Sequence, residues 1–460
     1  MADTASNPFP ITNPALIPAE RYYSDAFFKA EQEKLWPHVW QMACRLEEIP
    51  NQGDYTVYEI FDRSVILLNT ADGVKAFLNA CRHRGVKLAR GKGNCKNRGF
   101  RCPFHGWRWD EQGKNSFVFG REIFDEAIIT PDQIDLAPVR VEFWAGCAFI
   151  NFDDTAPGLR ESLGPVAERM DTRRAETLKI EWWFGTVLPT NWKLAMEAFH
   201  EGYHVMQTHP QLFQVSPYAT TQFGPDFDGK PVNEGLTGKE MVQHILAFLH
   251  NLNEGMGGSM IHKSELAVID RLAGMDVPED PMAAAAAFYT QACKDVEADA
   301  RARGVETFDI AKAFLGPDMH YVEFMFPNYF LLPVMGAMAS YRIRPLTPET
   351  CLFEIWNMAP RADGEPFETP KGPTMLPFDS QDFPEIPRQD YSNLPLQQVG
   401  LHNLDFMRIG SSLGKGGEGM ISNYQRLIDG YIAGLPADTL AKSSQIVNCG
   451  FDAPIMDIGI

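Results

Sequence analysis

The sequence predicts an α+β protein in two domains: a small antiparallel β domain, and a larger domain whose antiparallel sheet is covered by helices. Three observations carry this prediction. A chain of 460 residues, 45% of them hydrophobic, is too long for one simple core. Short β-rich runs broken by turn residues fill 55–78 and return at 320–360. Helix-type stretches occur at 191–209, 281–303 and 416–433. The first domain is expected at 38–155, and the second at 1–37 together with 156–460, with 223–318 as a variable, partly helical insertion.

Composition excludes several function classes. A net charge of -19 leaves no overall basic surface for nucleic acid, although a local basic patch could still meet an acidic electron-transfer partner. No run of about 18 apolar residues appears, so no membrane span is expected. Residues 1–10 lack the basic and apolar blocks of a secretory signal. Eight cysteines without a disulfide-framework spacing fit a reducing cytoplasm. Cys44, Cys95, Cys147, Cys293, Cys351 and Cys449 read as ordinary thiols.

In chain order, residues 19–36 read as a helix closed by Trp36-Pro37. Strands are expected at 55–61, 64–69 and 74–78, with Asp72-Gly73 as a hairpin turn. Strand-like sequence fills 139–152, a short helix or connector 159–171, and a further strand 179–188. Residues 191–209 read as one helix of about four turns, ended by Pro210. The region 223–318 holds Gly-rich pieces and one helix at 281–303, and could form a lid or a subunit contact. Its His244, His250 and His262 have no ligand spacing and read as packing or surface residues. Strands follow at 321–326, 329–335, 339–344 and 351–358. Residues 360–388 are Pro-rich and irregular, and a final helix covers 416–433.

Two clusters carry chemistry. Cys81-Arg82-His83-Arg84-Gly85 and Cys102-Pro103-Phe104-His105-Gly106-Trp107 each offer one thiolate and one imidazole. Such loops could hold zinc or an iron–sulfur cluster, and equal sharing of the two ligand types suits a Rieske [2Fe–2S] centre. Gly85 and Gly106 would permit tight turns, and Pro103 would restrain the second loop. Arg84 and Trp107 either tune a cluster or merely pack the loops. His204 and His209, five apart, can converge on one metal of several kinds if the helix loosens.

The two Cys/His loops resemble the Rieske signature of ring-hydroxylating oxygenase α subunits. The stretch from Asn191-Trp192-Lys193 through Glu197, Tyr203, His204 and His209 resembles the same family's second motif. The resemblance implies that Cys81 and Cys102 hold one iron of the cluster, and His83 and His105 the other. It implies a mononuclear Fe(II) held by His204, His209 and a distant carboxylate, with Asp390 the best match and Asp382 and Asp405 the alternatives. It also implies a helix-grip, START-like catalytic domain.

One position departs from the family pattern: Glu201 stands where most members have aspartate. In the family this carboxylate bridges a Rieske histidine of one subunit to an iron-ligating histidine of its neighbour. Some members acting on quaternary ammonium substrates carry glutamate there. Glu197 could support the helix or the metal's surroundings, and His200 could line the pocket or be structural. Met196, Phe199, Val205, Leu212 and Phe213 could form apolar pocket walls.

The implied activity is that of a terminal oxygenase component using O2 to hydroxylate an organic, aromatic substrate, by dihydroxylation or by monooxygenation or demethylation. Its electrons would come from a separate ferredoxin or flavin reductase, because the chain has no convincing Gly-x-Gly-x-x-Gly unit. A homotrimer, with or without a small β subunit, follows from the resemblance. The rivals are a Rieske electron-transfer or binding protein with an inactive second site, and a zinc-binding structural protein.

Overall fold

Residues 54–78 fold into consecutive antiparallel strands, Asp54–Ile60, Arg63–Thr70 and Gly73–Leu78; buried side chains alternate along 56–60, whereas Val65, Ile66, Leu67 and Leu68 of the middle strand are buried on both faces. Gly73 takes φ 102° in the second turn, a conformation that favours glycine. The computed structural model describes residues 7–213, 235–317, 319–362, 364–411, 417–451 and 453–460, with the side chains of Met206 and Phe213 outside that set. The chain divides into two units, Pro37–Leu159 and Met1–Trp36 with Arg160–Ile460.

In the Pro37–Leu159 unit the three strands belong to a seven-stranded antiparallel sheet. Its order is Gln41–Arg45, Cys147–Asn151, Pro138–Trp144, Gly73–Leu78, Arg63–Thr70, Asp54–Ile60, Lys92–Asn94. The strand-like sequence at 139–152 is a hairpin rather than one strand, because Ala145 and Gly146 both adopt positive φ and reverse the chain. A smaller three-stranded sheet joins Phe100–Arg101, Arg108–Trp109 and Asn115–Phe117. Trp107, Trp109, Phe100 and Leu68 are buried in the core of this unit, together with Cys81 and Cys102.

In the other unit a six-stranded sheet runs in the order Glu323–Met325, Tyr329–Pro333, Met338–Thr347, Thr350–Ala359, Lys179–Leu188, Thr374–Met375. All pairs are antiparallel except the last. The α+β architecture is therefore the one expected. Several helices depart from expectation. Residues 19–36 are not one helix: a 3-10 turn Ala19–Tyr22 precedes the helix Asp25–Ala30, capped by the Ser24 hydroxyl, and a π turn Glu31–Leu35 follows. The helix Gly238–Gly255 went unforeseen, as did Ala437–Val447 beyond the last expected helix. Glu385–Leu401 is helical through Pro395, although irregular sequence was expected up to 388 and no helix before 416.

The stretch 191–209 is also corrected. Its helix spans only Trp192–Glu197, and a second short helix, Val205–Thr208, follows a turn. The Glu201 carboxylate accepts the backbone N–H of His204 at 2.9 Å, and this local bond competes with a continuous helix. Pro210 opens another short helix, Pro210–Phe213, instead of merely ending one, as a proline without an N–H can at a first helical position.

Buried charge anchors the start of this stretch. The Asn191 side chain caps the helix by accepting the N–H of Lys193 at 2.9 Å. Lys193 Nζ lies 2.8 Å from Glu31, with both side chains fully buried, and Trp192 Nε1 donates to the other Glu31 oxygen at 3.2 Å. Glu31→Ala is expected to cost about 3–5 kcal/mol in urea unfolding, because it strands the Lys193 ammonium in the interior. A loss under 1 kcal/mol would show that Lys193 finds another partner or is neutral.

Candidate metal centre

His204 and His209 flank the short helix Val205–Thr208, and Asp390 lies on Glu385–Leu401. One donor atom from each of the three lies within 4.8 Å of the others. Asp390 Oδ1 is 3.2 Å from His209 Nε2 and 3.8 Å from His204 Nε2. The opposite ring nitrogens are engaged elsewhere. His204 Nδ1 meets Glu201 Oε1 at 2.7 Å, and His209 Nδ1 meets Gln389 Oε1 at 2.6 Å. Both acceptors call for an N–H at Nδ1, so both Nε2 lone pairs face Asp390. Two neutral imidazoles and one carboxylate fit a divalent iron with open positions. Asp382 is exposed on the loop before this helix and Asp405 follows it; neither belongs to the cluster.

Glu201 is buried, not a solvated surface acid, and binds both the ring and the backbone N–H of His204. Gln389 was missed by sequence reasoning. It sits beside Asp390 and also accepts from Gln211 at 2.9 Å, but an amide next to a carboxylate has no telling spacing.

A cavity of about 320 Å³ opens on the three residues. Of the expected wall residues, Phe199, Val205 and Leu212 line it, Met196 is buried without lining it, and Phe213's side chain lies outside the described residues. Unforeseen walls come from Gly238–Gly255, whose Phe248, Leu249 and Leu252 line it, and from Tyr289 and Phe314. The insertion thus supplies cavity wall, while His244, His250 and His262 stay out of it; His250 pairs with Asp270 and His262 lies 3.2 Å from Glu181. A second recess of about 570 Å³ shares Glu201, His204 and Asp390 but includes Asn393, Arg408 and Glu418.

Glu197 and His200 have interior roles. Tyr22 donates to Glu197 at 2.9 Å, and Gln425 also donates to it. Burial pushes the Glu197 carboxyl up to about 7, despite the opposing pull of Gln425, Tyr22, Lys193 and Arg21. His200 packs between the rings of Phe324 and Tyr424 and lines neither recess; burial pushes it down to about 3 and keeps it neutral.

The raised Glu197 carboxyl has a pH signature. It binds more protons folded than unfolded between about pH 4.5 and 7, so its contribution favours folding below that window and is lost as pH rises through it. Between pH 5 and pH 8 the wild type should lose about 2–3 kcal/mol more than Glu197→Gln in urea unfolding. Parallel pH dependences would contradict this.

In the Pro37–Leu159 unit the two Cys/His loops are built alike. Gly85 N–H donates to Cys81 O at 2.8 Å and Cys81 N–H to Val86 O at 2.8 Å; Gly106 N–H donates to Cys102 O at 3.1 Å and Cys102 N–H to Trp107 O at 2.8 Å. Gly85 and Gly106 have φ 80° and 73°, as such tight turns require. The His83 and His105 rings lie 4.7 Å apart, and Trp107 stacks on His83 at 5.1 Å. Nδ1 of both histidines is buried without a hydrogen-bond partner. Burial raises the Cys102 thiol, but the N–H groups of His105 and Phe104 outweigh it and hold the thiol below its ordinary value. Two orphaned imidazole nitrogens beside two buried sulfurs fit a [2Fe–2S] cluster, whose sulfurs also accept backbone N–H bonds.

Comparison with known proteins covers both regions. Residues 39–117 match the Rieske [2Fe-2S] domain, and residues 168–434 match the ring hydroxylating alpha subunit (catalytic domain). The chain belongs to the ring-hydroxylating α-subunit family. Its cofactors are accordingly a Rieske [2Fe–2S] cluster and a mononuclear iron.

Relatives within this family differ in substrate. The oxygenase subunit of carnitine monooxygenase from Escherichia coli (strain K12) is 33% identical over 214 residues, which cover 45% of this chain and 56% of that one. The alpha subunit of biphenyl dioxygenase from Paraburkholderia xenovorans (strain LB400) is 33% identical over 202 residues, covering 41% and 44%. The chain thus spans about half the length of the curated relatives it matches. Among solved structures, a quaternary ammonium Rieske monooxygenase superposes with TM-score 0.59 at 18% identity, covering 91% of this chain and 96% of that one. Naphthalene 1,2-dioxygenase with indole bound gives 0.56 at 18%, covering 96% and 97%. These likenesses concern the fold.

Proposed function

We propose that this chain is the terminal oxygenase component of a multicomponent system, taking electrons from a separate ferredoxin or flavin reductase and hydroxylating a small organic substrate with O2. The observation that carries this reading is the convergence of His204, His209 and Asp390 on the wall of an apolar cavity. In it, residues 38–155 are the electron-receiving domain, with Cys81 and Cys102 on one iron and His83 and His105 on the other. Residues 1–37 and 156–460 are the catalytic domain, with His204, His209 and Asp390 holding the mononuclear iron. When bound, these groups supply one-electron transfer and oxygen activation.

The protein's own part is positioning and exclusion. Glu201 and Gln389 hold the two Nδ1 protons, so that both Nε2 lone pairs stay inward. Phe199, Leu252 and Tyr341 help to keep the cavity apolar and limit water around the substrate. Glu201 also lines the second recess, where a neighbouring subunit's histidine could reach it, so a homotrimer with electron transfer between subunits accompanies this reading. The six cysteines outside the cluster loops form no disulfide among themselves, which accords with a reducing cytoplasm.

The apolar walls favour an aromatic substrate. A quaternary ammonium substrate is a second reading, favoured by Glu201 and by aromatic walls able to face a cation, among them Phe248, Tyr289 and Phe314. Among the described lining residues there is no Lys or Arg to receive a carboxylate, which weighs against a zwitterion such as carnitine.

The test is spectroscopic first. The purified protein should show a visible band that bleaches on reduction, an EPR signal with average g below 2, and about three irons per chain. A colourless zinc protein would refute the reading, and two irons would leave only an electron carrier. Products from an oxygen-consumption screen with a surrogate reductase then separate aromatic hydroxylation from N-demethylation.

A further inference from the structure

One hydroxyl of the cavity beside the metal site has no work in the fold. Tyr341 stands on the strand Met338–Thr347 and is 1% exposed. Its ring stacks on Phe330 at 4.5 Å and is packed by Phe199 at 5.1 Å and Phe353 at 5.8 Å. All three neighbours are phenylalanines, so the rings around Tyr341 carry no polar atoms. A phenylalanine at 341 would fill the same space, and packing does not account for the oxygen.

Other buried tyrosines of this unit bond their hydroxyls to the protein. Tyr22 donates to Glu197 at 2.9 Å, Tyr424 donates to the Pro327 carbonyl at 3.1 Å, and the Tyr329 oxygen accepts from Ser340 at 2.7 Å. The Tyr341 hydroxyl has no hydrogen-bond partner among the described residues. The Tyr391 hydroxyl has none either, but Tyr391 lines neither recess, whereas Tyr341 lines the cavity of about 320 Å³. A partner for the Tyr341 hydroxyl therefore has to come from the cavity.

The rest of the lining says what kind of partner fits. Apart from tyrosine hydroxyls, the described lining side chains offer donors only at His204 and His209, whose Nδ1 atoms are held by Glu201 and Gln389. Glu201 and Asp390 bring two carboxylates, which repel an anion. Burial holds the Tyr341 phenol well above its ordinary range, and the Asp390 carboxylate adds to the rise. The hydroxyl is thus a neutral donor within electrostatic reach of the metal site. A pure hydrocarbon, or a quaternary ammonium group, displaces water from it and leaves it unpaired, which costs binding. A neutral acceptor satisfies it.

We infer that the Tyr341 hydroxyl sets substrate specificity by donating a hydrogen bond to a small aromatic substrate that carries a neutral acceptor, a carbonyl or ether oxygen. The inference rests on the oxygenase reading above and narrows its substrate. At about 320 Å³ the cavity is at the small end of ligand sites, which suits a molecule of one or two rings. Its other walls are mostly aliphatic and aromatic and give little direction to a flat ring. One hydrogen bond therefore fixes how the ring lies against His204, His209 and Asp390.

Acetophenone and α-methylstyrene are suitable probes, because they share a shape and differ in C=O against C=CH2. Titration calorimetry on the holoenzyme gives the affinity of each. Tyr341→Phe should lower the ratio of acetophenone to α-methylstyrene affinity about tenfold relative to wild type, a comparison in which the probes' unequal hydrophobicity cancels. The variant should melt at the wild-type temperature or above, since it removes a buried hydroxyl that bonds nothing. An unmoved ratio would overturn the inference, and so would a wild type that binds neither probe. A variant that melts lower with the ratio unmoved would overturn it by assigning the hydroxyl to the fold. Iron content and the reducible visible band, measured on the same preparation, test the oxygenase reading separately. That reading fails if they are missing, whereas an unmoved ratio in a protein that has both strikes only the role of Tyr341.

Discussion

Asp390→Ala should abolish oxygenation while leaving the Rieske spectrum intact. Iron content should fall from about three per chain to about two, with turnover at background. Asp390 Oδ1 is the one anionic donor within reach of both His204 Nε2 and His209 Nε2 in this cluster. Two neutral imidazoles alone bind a divalent ion weakly and leave its charge uncompensated inside the protein. Asp390 is buried on the regular helix Glu385–Leu401, so alanine leaves the backbone in place and removes only the charge. Gln389 would still hold His209, and Glu201 would still hold His204. Metal analysis, the visible spectrum and product assay on one preparation check this. Full turnover with product formation in the variant would remove Asp390 from the site.

The parts of this molecule written locally were legible from sequence, and the parts written by tertiary contact were not. The strand Lys179–Leu188 and the Asp72-Gly73 turn appear where expected, since side-chain alternation and turn chemistry are local. The spacing of His204 and His209 foresaw that their rings could meet, but not that Glu201 would break the helix between Glu197 and Val205 to hold one of them. Asp390 was singled out through family resemblance alone, because no spacing rule links it to a histidine so far back in the chain. Pro395 disguised the helix that carries it. The helix Gly238–Gly255 had a readable start, a capping box from Thr237 to Glu240, that Gly-rich neighbours obscured. That this helix would wall the cavity depends on packing, which no local pattern records.

Glu201→Gln should slow delivery of electrons to the mononuclear site by at least about tenfold, and should weaken iron binding by less. The carboxylate now accepts two donors with two oxygens, His204 Nδ1–H at 2.7 Å and His204 backbone N–H at 2.9 Å. Glutamine keeps one oxygen, which can satisfy the ring, and turns an NH2 group toward the backbone N–H, where donor meets donor. His204 therefore keeps its tautomer and much of its aim, so iron should largely remain. The variant loses the negative charge and the second acceptor, which in the proposed trimer would receive the histidine of a neighbouring subunit. In that trimer both losses would fall on the path between cluster and iron, and Glu201 is buried, where charge is poorly screened. Oxidation of the pre-reduced cluster in a single turnover with O2 and substrate isolates that step from docking of the external donor. Unchanged kinetics with normal iron content would show that Glu201 orients His204 and carries no part of the transfer path.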